Sequence, residues 1–425
     1  MTSPLGGSPV WRWLAALLIA QGNAALADEW AIDASALAQT RFNDNYELSP
    51  AATRNGTAIE SLTPDVRFSS RSETRDVNAD LSLTANRVDR RPDLNTVDYR
   101  LTTAGTWQRE RSQWGLAAAL NRDSTLQSEL SQTGVVQARR QRSNLTLQPY
   151  TQYQLDERTS LTASLGGSRV HYANADNTAL VDYDDYSGSL GVNRKIDERT
   201  ALGLQVSRED YRTVRTLTRS QVSGVTASLS RMVSERLRLG FDAGWQRTRT
   251  DRTVTNLVCV LGNQTFPIQS SLDLFLCGLR SGTTQVVTQT LHIPNSTPSF
   301  TASAAYTLPR GSLSVELGRR LNPSGTGSLL RTDRASLSWR HDWRETISQS
   351  VAASTLLSHY TDNAAADVRY TQFAADLGWQ YQRDLKFSAG VTLTRQKSAG
   401  SNETLKGSEI YLLLNYNCDP LTLSR

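Results

Sequence analysis

The feature that most constrains this chain is a strict two-residue alternation on both sides of a tight polar turn. After Val233-Ser234-Glu235-Arg236, the residues Leu237, Leu239, Phe241, Ala243 and Trp245 are apolar, while Arg238, Gly240, Asp242, Gly244 and Gln246 between them are small, polar or charged. Before the turn, Val225, Ala227 and Leu229 alternate in the same way with Thr226, Ser228 and Ser230. A period of two belongs to an extended strand with one apolar and one polar face. In a soluble sandwich the polar face meets solvent, whereas in a membrane barrel it lines the lumen. One hairpin does not decide between them, so recurrence must.

The unit recurs from end to end. Turns of the same kind stand at Arg71-Ser72-Glu73-Thr74, Arg109-Glu110-Arg111-Ser112, Asp156-Glu157-Arg158-Thr159, Asp197-Glu198-Arg199-Thr200, Pro309-Arg310-Gly311, Trp343-Arg344-Glu345-Thr346 and Arg383-Asp384. They alternate with longer segments rich in Asn, Asp, Thr, Ser and Gly, among them 42–56, 123–138, 173–182 and 250–286. Short connections at one end and long ones at the other are the asymmetry of an outer-membrane barrel, with tight periplasmic turns and long external loops. Most alternating runs reach the roughly 9–11 residues that a tilted strand needs to cross a bilayer. Reading them in order gives eighteen strands, with sixteen the nearest even alternative. The expected fold is therefore all-β, a transmembrane antiparallel up-and-down barrel over 28–417 with a C-terminal extension at 418–425.

The N-terminus places the chain outside the cytoplasm. An apolar core, Leu14 to Ala20, runs to Ala25-Leu26-Ala27 ahead of Asp28-Glu29, the form of a signal peptide spanning 1–27. No run approaches the roughly 20 apolar residues of a transmembrane helix. In an oxidising compartment Cys259 and Cys277 are a candidate loop disulfide, which would leave Cys418 free. No C-x-x-C spacing suggests a metal.

The charges on the wet faces are the candidate functional residues. Asp80, Asp98, Arg100, Arg238, Asp242, Glu316, Arg340, Asp342, Asp376 and Lys386 all fall on the polar side of an alternating strand. Opposite signs on neighbouring strands allow cross-strand ion pairs, which would stiffen the wall or guide a hydrated solute. Lys occurs only at 195, 386, 397 and 406, so nearly all positive charge is Arg, through genome composition or through a use for bidentate clamps. Aromatics gather beside the short turns at Trp107, Trp114, Tyr306, Trp343, Trp379 and Tyr381, as an interfacial girdle would require.

Catalytic signatures are missing. His171, His292, His341 and His359 are isolated, and the sequence holds no G-x-S-x-G elbow, no H-E-x-x-H and no phosphate-cradling glycine loop. An enzyme is not expected, nor a cofactor or a nucleic-acid partner. Among the loops, 250–286 stands out because its apolar stretch Phe266 to Leu279 is bracketed by cysteines. It is expected either to cap or constrict the pore or to stand as a surface loop.

Ala31-Ile32-Asp33-Ala34 running to Arg41-Phe42-Asn43-Asp44-Asn45-Tyr46 resembles the opening of outer-membrane β-barrel porins found with bacterial exopolysaccharide biosynthesis operons. Gly407 to Tyr416 is similar to the C-terminal strand by which the barrel-assembly machinery handles its clients. The first resemblance implies a bacterial outer-membrane channel or accessory barrel for surface polysaccharide; if polysaccharide is exported, the periplasmic bridge is expected to be a separate protein. The expected function is a passive conduit for exopolysaccharide or another hydrophilic solute. Its alternative is a non-conducting barrel that scaffolds a cell-surface assembly.

Overall fold

Asp156 and Asp197 head two turns of identical sequence, and each shows how the chain reverses. The Asp156 carboxylate accepts the backbone N–H groups of Arg158 and Thr159, both at 2.8 Å, and Asp197 accepts that of Arg199 at 2.7 Å. These bonds to the charged form hold both carboxyl groups below the usual carboxylate range. Each turn thus closes on its own side chain and returns the chain directly into the next strand.

The structure, a computed structural model, describes residues 29–134, 139–175, 178–214, 217–261, 264–268, 271–280, 283–360, 367–401 and 403–424. The expected signal peptide lies outside the described residues. The strands are β1 (Glu29–Asn43), β2 (Thr57–Arg71), β3 (Arg75–Val88), β4 (Thr96–Gln108), β5 (Ser112–Ser124), β6 (Gln141–Gln154), β7 (Thr159–Tyr172), β8 (Tyr183–Lys195), β9 (Thr200–Thr213) and β10 (Thr218–Met232). They continue as β11 (Leu237–Leu261), β12 (Gln264–Pro267), β13 (Thr283–Leu308), β14 (Gly311–Pro323), β15 (Leu329–Arg344), β16 (Ile347–Tyr360), β17 (Val368–Gln380), β18 (Leu385–Ser398), β19 (Thr404–Asn417) and β20 (Leu421–Ser424). All twenty belong to one sheet; without the four-residue β12 and β20, eighteen antiparallel staves remain. Each pairs with its sequence neighbour, and β1 pairs with β19 from Ser35↔Asn417 to Asn43↔Glu409, closing the ring. Within the extension expected at 418–425, Leu421 to Ser424 form β20, which pairs with the start of β1, Trp30 opposite Leu423.

Closure sorts the side chains by parity. On β3, Leu81 and Leu83 are exposed, while Ser82 and Thr84, which alternate with them, line an internal cavity. The same alternation exposes Leu202, Leu204 and Val206 on β9, Leu239, Phe241 and Trp245 on β11, and Phe373, Leu377 and Trp379 on β17. An apolar belt around a closed β-ring is what a bilayer solvates, so this is the architecture of a bacterial outer-membrane barrel. At the short-turn end Trp114, Trp343, Trp379 and Tyr381 are exposed, Trp107 stands opposite Trp114, and the Trp379 ring lies 5.2 Å from Tyr381. No helix among the described residues is long and apolar enough to cross a membrane.

The segment 250–286 departs from the constriction considered above. β11 and β13 remain paired from Leu237↔Tyr306 out to Val260↔Thr283, so the hairpin carries the wall outward. β12 folds back on β11, and the helix Ser271–Leu279 is tied to the hairpin by the Cys259–Cys277 disulfide, with a Cα separation of 5.8 Å. Cys418 is free and exposed.

Phe241 and Asp242 are adjacent but face opposite solvents, so they test the parity. Phe241→Arg should destabilise the barrel by about 2–4 kcal/mol in lipid vesicles, and Asp242→Asn by under about 0.5 kcal/mol. Equilibrium urea unfolding of the vesicle-bound protein measures both.

Candidate functional site

The connection between β5 and β6 turns into the barrel, not away from it. Ser124 ends β5 and caps the helix Thr125–Thr133, its hydroxyl accepting the N–H of Leu126 at 3.3 Å. Gly134 stops the helix in a left-handed conformation (φ 68°), where a side chain would be strained, and its N–H bonds the carbonyl of Leu130 at 3.1 Å. The helix has few apolar residues and is nevertheless buried at Thr125, Ser128, Glu129 and Thr133. Such burial requires polar partners, and both sides of the ring supply them.

On the near side Glu129 is held by β6 and β7. Its carboxylate accepts the Tyr172 hydroxyl and pairs with Arg142 at 3.7 Å, with both charged side chains only 5% exposed. Arg142 also donates to the Tyr183 hydroxyl at 3.4 Å. On the far side Ser358 of β16 donates to the carbonyl of Thr133, and Gln396 of β18 donates to that of Gly134 at 2.9 Å. Leu130 packs against Leu48, Leu356 and Tyr370, the apolar part of this second anchor. The helix is therefore held across the lumen, at its middle from one side of the ring and at its C-terminal end from the other.

Two polar cavities flank it, and Ser131 lines both. The larger, about 670 Å³, is walled by β1 to β5 and β17 to β19 and carries Arg41, Arg100, Asp98, Asp123 and Glu409. The smaller, about 500 Å³, is walled by β6 to β8 and β14 to β16 and carries Arg142, Arg320, Arg334, Asp185 and Glu316. Asp98, Asn121 and Asp123 each keep a buried oxygen with no protein partner. Beside the smaller cavity, Val181 of the β7–β8 connection donates its N–H to Gly325 of the β14–β15 connection at 2.7 Å, over a cluster including Val170, Tyr172, Tyr183, Tyr211 and Val222. These apolar residues point inward, where alternation alone predicts polar ones.

The charges singled out from the sequence do not form one site. Asp98 and Arg100 line the larger cavity, where Asn86 donates to Asp98 at 2.9 Å. Glu316 lines the smaller and pairs with Arg320 at 3.4 Å. Arg340, Asp342 and Lys386 gather at the short-turn mouth with Arg310, Arg344 and Glu345, around a third cavity of about 540 Å³. Asp80 pairs with Arg67 directly across β2 and β3 at 2.5 Å, and Asp376 accepts the Ser350 hydroxyl at 3.0 Å. Arg238 and Asp242, on the inner side of β11, line neither main cavity and make no ion pair among the described residues. The helix and its anchors Glu129, Arg142, Tyr172, Ser358 and Gln396 were not anticipated. Their signal was present as Ser124-Thr125-Leu126-Gln127, a capping-box spacing, followed by Gly134 at helical distance.

No protein-family model matches the chain, and no curated protein matches it. Among solved structures it is similar to Pseudomonas aeruginosa OccK2 (OpdF), at 14% identity over 92% of this chain and 98% of that one, with a TM-score of 0.46. P. aeruginosa OpdK, crystallised with vanillate, is similar at 11% identity over 93% and 99%, TM-score 0.46. The E. coli ferric-catecholate import receptor Fiu is similar at 10% over 91% and 81%, TM-score 0.47. At these values the likeness is one of outline.

Removing one member of a buried ion pair strands the other. Glu129→Ala should therefore loosen the helix by about 3–5 kcal/mol, and adding Arg142→Leu should restore most of the loss. Hydrogen exchange at the amides of 125–134 reads the docking directly.

Proposed function

We propose that the protein is a passive conduit through which small hydrophilic solutes cross the outer membrane. The observation that carries this reading is the helix Thr125–Thr133 docked across the lumen, with a polar, mixed-charge cavity on either side. A plug would fill that space with side chains, whereas this helix divides it. Mixed signs along a wet wall let a hydrated solute exchange water for alternating donors and acceptors without being trapped. At the periplasmic mouth Arg310, Arg340, Arg344 and Lys386 outnumber Asp342 and Glu345, which favours anionic solutes at that end.

The polysaccharide passenger implied by the opening residues is a poorer match. A polymer threading this barrel would have to pass a helix anchored at its middle and at its C-terminal end by buried polar bonds. The separate periplasmic export partner belongs to that polymer reading and is not needed for small solutes.

Planar-bilayer recording tests the conduit against a non-conducting scaffold. The purified protein should conduct, and replacing 125–134 by a short Gly-Ser link should raise single-channel conductance by about twofold or more. Shortening the 250–286 hairpin should leave it unchanged. Silence from both the wild type and the helix-less variant would establish the scaffold instead.

A further inference from the structure

The outer wall of β7 to β11 carries a feature that conduction does not use. Read across the strands at one level, register sets Leu165, Gly188, Arg208, Ser223 and Arg247 side by side. One step nearer the short turns, the row is Ala163, Leu190, Val206, Val225 and Trp245, the upper edge of the apolar belt. Arg208 and Arg247 are thus the first charged residues above the belt, at the long-loop end that faces the outer leaflet.

Among the described residues their neighbours have charge partners and they have none. One level higher and beyond, Arg212 and Arg219 share Asp210, and Arg249 pairs with Asp251; toward β7, Arg169 pairs with Asp184. Arg208 reaches only the Gln221 side-chain oxygen, at 3.4 Å, and Arg247 makes no ion pair among the described residues. Both are exposed and flank the small Ser223, with backbones roughly 10 Å apart across two strand spacings. Two guanidinium groups on flexible stems can close that gap on a single phosphate.

A groove of about 590 Å³ on the outer surface ends at Arg208. Leu165, Leu190 and Val206, all strongly exposed, form its sides, and Gly188 leaves its floor bare. Its lining is predominantly apolar, which suits a hydrocarbon chain and not a free anion. The groove runs across β6 to β9, so cationic head and apolar groove together define an amphiphile held across the strands.

We propose that this face holds a phosphate-bearing lipid of the outer leaflet, its phosphate between Arg208 and Arg247 and one acyl chain in the groove over Gly188. The two halves can be tested separately. Gly188→Leu fills the groove without straining the backbone, since a Cβ there would meet only Leu165 and Ser164 at ordinary contact distance. Arg208→Gln with Arg247→Gln removes the cations at exposed positions outside the lumen.

Delipidated protein is titrated with lipid A, with its dephosphorylated counterpart and with inorganic phosphate, and bound lipid is counted by native mass spectrometry. Heat-modifiable electrophoresis checks that each variant is folded. Lipid A should bind the wild type at one site at least tenfold more tightly than the double Arg variant, and dephosphorylated lipid should lose a similar factor. Gly188→Leu should weaken binding severalfold with both Arg present, and Arg169→Gln, whose residue is already paired, should leave it unchanged. Binding to the double Arg variant within twofold of wild type would overturn the proposal. So would phosphate alone displacing the lipid, which would mark an adventitious ion only.

Discussion

Everything in this molecule depends on the seam where β1 meets β19 and β20. Hydrocarbon offers no partner to a backbone N–H or carbonyl, so a sheet in a membrane must have no edge. Once the seam is made, the direction of every side chain follows from parity. A slip of one residue would send Arg238 into lipid and Leu239 into the lumen, so the apolar alternation and the seam enforce one another. Leu421 to Ser424 carry the same seam on along the start of β1.

Inside the ring the physics changes from lipid solvation to hydrogen bonding. The helix Thr125–Thr133 has little apolar surface with which to stay in place, and it is held by Glu129 between Arg142 and Tyr172 and by two carbonyls at its far end. A buried carboxylate is costly to strand, and this makes the docking specific as well as stable. The apolar contact at Leu130, Leu48, Leu356 and Tyr370 adds a second anchor of a different kind. The division of the lumen into two cavities is therefore a property of a few residues on staves far apart in sequence.

The wall was legible in the sequence because period two and lipid exposure are local rules. The expected turns at Arg71-Ser72-Glu73-Thr74, Asp156-Glu157-Arg158-Thr159 and Asp197-Glu198-Arg199-Thr200 join β2 to β3, β6 to β7 and β8 to β9. The lumen was less legible. The helix announced itself only through Ser124, Gln127 and Gly134, and no local rule says that a capped helix in a loop folds inward. Inward-facing Val170, Tyr183 and Tyr211 break the polar alternation because loops from distant hairpins pack on them, information that only the closed ring holds. The apolar stretch within 250–286 is prominent, yet β11 and β13 stay paired with each other out to Val260↔Thr283, and the described residues from Thr253 to Val286 line neither cavity.

The outward hairpin has one more consequence. β11 stays paired with β10 as far as Arg252, opposite Thr218, and from there to Leu261 is nine steps of extended chain, roughly 30 Å at the rise of a strand. A two-stranded ribbon of that reach stands far from the barrel, and the cross-link between Cys259 and Cys277 sits near its tip. Thiols join only after leaving the reducing cytoplasm. The tip therefore carries a covalent mark that belongs to an oxidising compartment.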